Sequence, residues 1–255
     1  SGPGLNVAGL LLAFMGAGLL GALLNVTIER FAYKPLRNAP RLAPLISAIG
    51  VSFMLQNIGL IWGGLRPIFP IMGLNAASPK SMPEILPRIP LLPAASGIEF
   101  GTKDLIVVVT ALTLWVALRL FIQYTTLGKA MRATAQNRDA SKIVGIHVDR
   151  VIAVTFLIGG LLAGAAGALV GLYNNTIVFT MGFTFGLRSF TAAVLGGIGN
   201  VTGAALGGVL IGVVAAFSDQ YLSSRWTNAW IFTILIIILI FRPLGLLGEA
   251  AGEKA

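Results

Sequence analysis

The feature that most constrains this chain is a succession of apolar runs long enough to cross a lipid bilayer. A helical span needs about 20 predominantly apolar residues. Seven segments reach or approach that length: 5–28, 44–63, 105–123, 151–173, 185–198, 201–222 and 228–241. The fifth is short. Hydrophobic residues make up 56% of the 255 and charged residues 11%, against about 25% charged in an ordinary soluble domain. A soluble fold could not bury this much apolar surface. The expected fold is all-α: a polytopic transmembrane helical bundle of about seven membrane segments, one of them short and broken. It forms a single domain over residues 1–255.

The net charge of +9 raises the possibility of nucleic acid, but the cations sit between apolar spans. They read as topological markers, since Lys and Arg are retained on the cytoplasmic side. Arg30, Lys34, Arg37 and Arg41 occupy the first connection, and Arg119, Lys129, Arg132, Arg138, Lys142 and Arg150 lie around the third. With Arg242 and Lys254 they place 12 of 18 cations inside. Arg66, Lys80, Arg88, Lys103 and Arg225 fall outside, and Arg188 is unassigned. The alternation works only if the fifth segment crosses, with the N-terminus outside and the C-terminus inside.

Residues 64–104 hold seven of the twelve prolines: Pro67, Pro70, Pro79, Pro83, Pro87, Pro90 and Pro93. Proline blocks helix interiors, so this is an external connection, either folded over the mouth of the protein or a loosely ordered loop. Gly160, Gly164, Gly167 and Gly171 share one face of the fourth span, and Gly203 and Gly207 one face of the sixth, as do Gly208 and Gly212. Small residues at this spacing let helices approach closely in lipid. They serve bundle packing or provide a sliding surface. The cluster Gly196 to Asn200 breaks the chain between the fifth and sixth segments, and its backbone groups cannot face lipid. It is no dinucleotide fingerprint, because Thr202 stands where the third glycine belongs and no strand precedes it.

Catalytic constellations are absent. His147 is the one histidine, there is no cysteine, and no cluster has metal-ligand spacing. Gly128-Lys129 is followed by Ala130, so no P-loop is present. The chain is expected to be no enzyme and to bind no cofactor. Charge inside the spans is nearly nil, with Asp104 and Asp219 at their edges. Ion-driven carriers keep a buried carboxylate on the path, so energy should come from a partner. Thr191 and Asn200, with Gln56 and Asn57 on the second span, are candidates for a substrate path beside the broken segment. Interhelical hydrogen bonding is the alternative reading of all four.

The cytoplasmic connection 124–150 is the sharpest local feature. Ala130, Ala133 and Ala140 give a short, amphipathic, small-faced helical stretch with Arg132 and Asp139 at its rim, and Gly145 suits a C-cap. Such a stretch either seats in a groove on another protein or is an ordinary basic loop.

Several stretches resemble a known family. Gly128-Lys129-Ala130-Met131-Arg132-Ala133, then Gln136-Asn137, Ala140 and Gly145-Ile146, resemble the coupling loop of ABC importer permeases. The stretch from Glu29 to Arg37, continued by Leu45 to Gly50 and Leu55-Gln56-Asn57, is similar to the branched-chain amino acid permease family of LivH/LivM type. So are Phe190 to Gly199 and Arg242 to Gly248, and the likeness is closer to the LivH half. The resemblance implies a bacterial inner-membrane, multi-pass subunit translocating branched-chain amino acids. Its implied partners are cytoplasmic ABC ATPases that use the ATP, a second homologous permease and a periplasmic substrate-binding protein. Gly128, Ala130, Arg132, Ala133, Asn137, Asp139, Ala140 and Gly145 are then the ATPase-coupling residues. Family members begin with a further membrane segment bearing an Asn-Phe-Ala-His-Gly-like motif. The chain starts Ser-Gly-Pro-Gly, so it reads as a truncated permease. An importer for another small neutral solute such as urea or amides, a secondary carrier and a channel are the rivals.

With no native cysteine, single-cysteine labelling is the natural check of topology. Positions 34 and 138 are expected to label from the cytoplasmic side and position 80 from the outside. Labelling of position 80 from the cytoplasm alone would overturn the arrangement.

Overall fold

The structure is a computed structural model that describes residues 3–37, 39–40, 43–64, 79–81, 89–91 and 100–248. Nine α-helices lie among them: α1 (Pro3–Ile28), α2 (Ala43–Gly64), α3 (Thr102–Tyr124), α4 (Thr126–Gln136), α5 (Arg138–Ile143), α6 (Val148–Asn174), α7 (Met181–Gly196), α8 (Val201–Tyr221) and α9 (Thr227–Phe241). Seven of them fall on the seven apolar segments. By length and composition α1, α3, α6 and α8 can each cross a membrane. The 16 residues of α7 and 15 of α9 extend only about 22–24 Å at ~1.5 Å per residue, short of a ~30 Å hydrocarbon core. The outer faces are apolar: Leu12 is 71% exposed, Val209 65% and Ile240 72%. That distribution suits lipid and not water.

Two compact units make up the chain: Ser1–Val116 with Asp139–Met181, and Ala117–Arg138 with Gly182–Ala255. In the first, α1 and α6 pack backbone to backbone. A Cβ on Gly160 would lie 2.6 Å from the Asn25 Cβ and 2.8 Å from the Gly21 carbonyl carbon. One on Gly164 would lie 2.6 Å from the Ala17 carbonyl carbon and 2.9 Å from the Gly18 Cα. Asn25 ties the pair further, donating Nδ2–H to the Phe156 carbonyl at 3.0 Å. Gly171 is buried, whereas Gly167 is exposed with no atom within 4 Å of its Cβ position. Gly160 and Gly164 face α1, and Gly167 points away from that contact.

Two ends of α6 carry connections that the cation pattern assigns to opposite sides. At its start, Asp149 pairs with Arg37 and, at 3.7 Å, with Lys34. At its far end, β2 (Thr176–Ile177) pairs antiparallel with β1 (Lys80–Ser81). Lys34 and Lys80 therefore belong to opposite ends of one spanning helix, as the topology requires. Ile89 to Leu91 runs against Phe100 to Thr102, with Leu91 N–H on the Phe100 carbonyl at 2.9 Å. The rest of the proline-rich connection, with Pro67, Pro70, Pro83, Pro87 and Pro93, lies outside the described residues.

In the second unit, α7, α8 and the segment after α9 meet at the Gly196 to Asn200 break. A Cβ on Gly203 would lie 2.9 Å from the Gly196 carbonyl carbon, and one on Gly207 3.0 Å from that of Ala192. Gly208 and Gly212 face open space. Leu246 and Leu247 donate their N–H groups to the carbonyls of Leu195 and Gly196 at 2.9 and 3.0 Å. Those are carbonyls the end of α7 would otherwise leave unpaired. Asn200 caps α8 by accepting the Gly203 N–H at 3.0 Å and donates Nδ2–H to the Leu247 carbonyl at 2.9 Å. Ala192, Ile211 and Ile231 form the small core beneath.

Gly164→Leu and Gly207→Leu should each destabilise the protein by about 3 kcal/mol, the upper end of the usual overpacking cost, because backbone cannot yield to an added side chain. Gly208→Leu should be tolerated. Melting temperatures in detergent test this, and equal melting of all three variants would contradict the packing described.

Candidate functional site

The connection between α3 and α6 is built from two short helices separated by one extended residue. Thr125 ends α3 and starts α4. Its Oγ1 donates to the Phe121 carbonyl at 2.7 Å and accepts the Gly128 N–H at 3.0 Å, an N-cap of the usual kind. The turn is so tight that a Cβ on Gly128 would lie 2.6 Å from the Ile122 Cα, which explains a glycine there. Asn137 stops α4 in an extended conformation (φ −155°, ψ 111°). The single helical stretch expected from the sequence is thus interrupted.

A left-handed Gly145 (φ +85°) then closes α5. Its N–H reaches the Lys142 carbonyl and the Ile146 N–H the Ser141 carbonyl, both at 3.0 Å. This pair of bonds is the Schellman motif. Of the coupling candidates, Gly128 is buried and Ala130 and Ala133 are half-buried. Arg132, Asn137, Asp139, Ala140 and Gly145 are exposed, with Asp139 paired to Lys142 at 3.0 Å. Ile143 and Val144, 86% and 73% exposed, present an apolar tip beside them. The sequence signal for that tip is an apolar pair between Lys142 and Gly145 in an otherwise polar stretch.

The four substrate-path candidates differ in what they do. Thr191 is fully buried and donates Oγ1–H back to the Leu187 carbonyl at 2.8 Å. Asn200 is committed to capping α8 and holding Leu247. Asn57 is exposed and donates to the Phe53 carbonyl at 2.8 Å. Gln56 keeps its Nε2 buried without a hydrogen-bond partner among the described residues, a condition that native structures rarely leave unexplained.

The family model described as branched-chain amino acid transport system / permease component matches residues 3–240. The high-affinity branched-chain amino acid transport system permease protein LivH of Salmonella typhimurium is 36% identical, over 98% of this chain and 79% of its own length. The corresponding BraD protein of Pseudomonas aeruginosa is 37% identical, over 96% of this chain and 76% of its own. The xylose/arabinose import permease protein XylH of Sulfolobus acidocaldarius is 29% identical over 66% of this chain and 43% of its own. No solved structure matches the chain.

The chain belongs to the branched-chain amino acid transport permease family. It is accordingly a multi-pass membrane transport subunit, and its helices fit that family's polytopic bundle.

Charge sits deeper in this permease than the sequence suggested. Glu29 was placed in the first connection, but the α1 helix continues through a π-turn (Glu29–Tyr33) and a 3-10 turn (Lys34–Leu36). Pro35 cannot donate the next helical bond, which accounts for the loosened winding. Glu29 is consequently 3% exposed and pairs with Arg37, which also pairs with Asp149. At the other end of α6, buried Lys103 donates to Asn175 Oδ1 at 3.2 Å, and Tyr173 to Asp104 at 3.0 Å. Arg188, unassigned by the cation pattern, lies in the middle of α7 and bonds Asn228.

Arg37→Ala strands the Glu29 carboxylate and should cost about 3–5 kcal/mol, the usual consequence of breaking a buried pair. Adding Glu29→Gln should recover most of it. Thermal unfolding of the single and double variants decides, and a double variant no better than the single would show that Glu29 is not a stranded charge.

Proposed function

We propose that this chain is the non-catalytic membrane subunit of an ATP-driven importer for branched-chain amino acids in a bacterial inner membrane. The observation that carries the reading is the family match over residues 3–240, together with more than one-third identity to LivH and BraD over nearly the whole chain. The ATP is used by cytoplasmic ABC ATPase subunits, and this chain holds no nucleotide. A second homologous permease completes the path, and a periplasmic binding protein delivers the solute. Transport is by alternating access: ATP closes the ATPases, the α4–α5 connection moves, and the spans reorganise around a central path.

The ATPase seat is the stretch from Gly128 to Gly145. Supporting this are its basic, cytoplasmic position, the half-buried Ala130 and Ala133, and the exposed Ile143 and Val144. An apolar tip on the water side of a membrane protein has no lipid to cover it. Arg132 and Asp139 serve as polar rim contacts. For the solute path, the unpartnered Gln56 amide is the best supported of the four candidates. Asn200 holds the helix break at the start of α8, while the Thr191 hydroxyl is taken up within α7. Likeness to a xylose/arabinose import permease favours one second reading, the same machine carrying another small solute.

Co-purification with the cognate ATPases and uptake in proteoliposomes test the proposal. Uptake of leucine should require ATP inside the ATPase compartment. Ala133→Glu should weaken ATPase binding by about 3–5 kcal/mol, by placing an uncompensated charge in the seat, while membrane insertion is unchanged. Full ATPase binding and uptake in that variant would remove the coupling assignment, and ATP-independent uptake would remove the importer reading.

A further inference from the structure

Arg188 is a permanent cation in the middle of the apolar helix α7. It is half-buried, and its Nε and Nη2 both donate to one oxygen, Asn228 Oδ1, at 3.2 Å each. Asn228 is neutral, so these bonds orient the guanidinium without balancing its charge. Among the described residues no carboxylate lies within ion-pair distance of Arg188. Asp219, on α8, is engaged instead by the Thr227 hydroxyl. An uncompensated charge at membrane depth is costly to keep and marks function by default. Of the other two buried charges, Glu29 pairs with Arg37, and Lys103 bonds the amide oxygen of Asn175 at the end of α6.

The surroundings favour an anion. Asn228 belongs to the first turn of α9, which starts after Trp226 with no side-chain cap bond. The free N–H groups of such a turn carry positive potential, of which the Asp219 carboxylate bonded by Thr227 offsets a part. Both helices that meet here, α7 and α9, are too short to cross a bilayer on their own, and Asn228, one residue into α9, puts the site toward the end that the Arg225 connection assigns to the outside. A guanidinium fork matches the two oxygens of a carboxylate, and Nη1 makes no hydrogen bond among the described residues.

We propose that Arg188, oriented by Asn228, receives the carboxylate of the transported amino acid. The inference rests on the reading of the chain as an amino-acid importer and names the group of the solute that this site takes. A carboxylate is common to leucine, isoleucine and valine, so a site of this kind holds all three and leaves their side chains to apolar contacts. A phospholipid phosphate offers the same oxyanion chemistry and is the competing source of the charge.

The test uses the assembled transporter in proteoliposomes, with the binding protein supplied and radiolabelled leucine followed. Arg188→Met should lower uptake roughly tenfold or more, as expected for loss of a charge-assisted contact, and Arg188→Lys should restore a substantial part. Asn228→Asp is the discriminating variant. It keeps and strengthens the bond to Arg188 but supplies an internal carboxylate that competes with the solute's, so uptake should fall while the melting temperature is held. A second measurement needs no variant: leucine should raise the melting temperature of the transporter in nanodiscs, and leucinol, which lacks the carboxylate, should not. Wild-type uptake by Asn228→Asp, or equal stabilisation by leucinol, would overturn the site. Stabilisation through Arg188 that follows phosphatidylglycerol content and ignores leucine would assign the charge to lipid and overturn it also. If the wild-type transporter imports no amino acid at all, the importer reading fails first and the site falls with it. If the wild type imports leucine and the variants match it, only the site falls.

Discussion

The structure depends on one constraint: where water is excluded, every backbone N–H and C=O must find its partner within the protein. Inside a helix this is automatic. At the Gly196 to Asn200 break it is not, and the solution comes from a segment nearly fifty residues later in the chain. Leu246 and Leu247 return their N–H groups to the last carbonyls of α7, and Asn200 holds both the start of α8 and the Leu247 carbonyl. Gly197 (φ +111°) and Gly245 (φ +81°) make the approach possible, since a Cβ on Gly245 would lie 2.7 Å from the Gly197 Cα. Two motifs that look unrelated in the sequence are thus halves of one joint. The joint also places the C-terminal ends of α7 and α9 on the same side as the start of α8, which is what the odd crossing by a short α7 demands.

The spans were legible because they are local properties. Apolar length can be read one segment at a time, and each of the seven segments became a helix. Pair properties were not legible in the same way. The glycine row of α6 is regular in sequence, but which of its members packs depends on what α1 presents at the same height. Ala17, Gly18 and Gly21 meet Gly160 and Gly164, and nothing meets Gly167. The row on α1 was available to a reader as small residues at 17, 18 and 21, and their interspersed leucines hid it. Glu29 was misplaced for a related reason. Pro35 signals a helix end, but the end is gradual, through π and 3-10 turns, so a residue assigned to a connection is carried into the buried interface.

The candidate site divides along the same line. Thr125, Gly128 and Gly145 are local signals, and each does what its chemistry predicts: cap, tight turn, left-handed stop. Asn137 carries no such signal and interrupts the helix anyway. Thr191 and Asn200 were singled out as polar residues near a break, and their hydrogen bonds are absorbed by the helices themselves. Gln56 and Arg188 are the reverse case. Their interest comes from what they lack, a partner for Nε2 in one and a counter-charge in the other, and a lack of partners is visible only once neighbours are in place.

Mechanical continuity within the first unit follows from these contacts. Gly145 closes α5 rigidly through two backbone bonds, and α6 begins three residues later at Val148. A displacement applied to α5 has little slack in which to dissipate before it reaches α6. There Asp149 is held by Arg37, which also holds Glu29 at the foot of α1. Above that, α1 and α6 touch largely through backbone at Gly21, Gly160 and Gly164, with Asn25 bonded across the contact. Close-packed interfaces of this kind transmit motion and do not absorb it. If α5 is displaced, as the proposed coupling role requires, α1 and α6 would move together over the length at which their backbones touch.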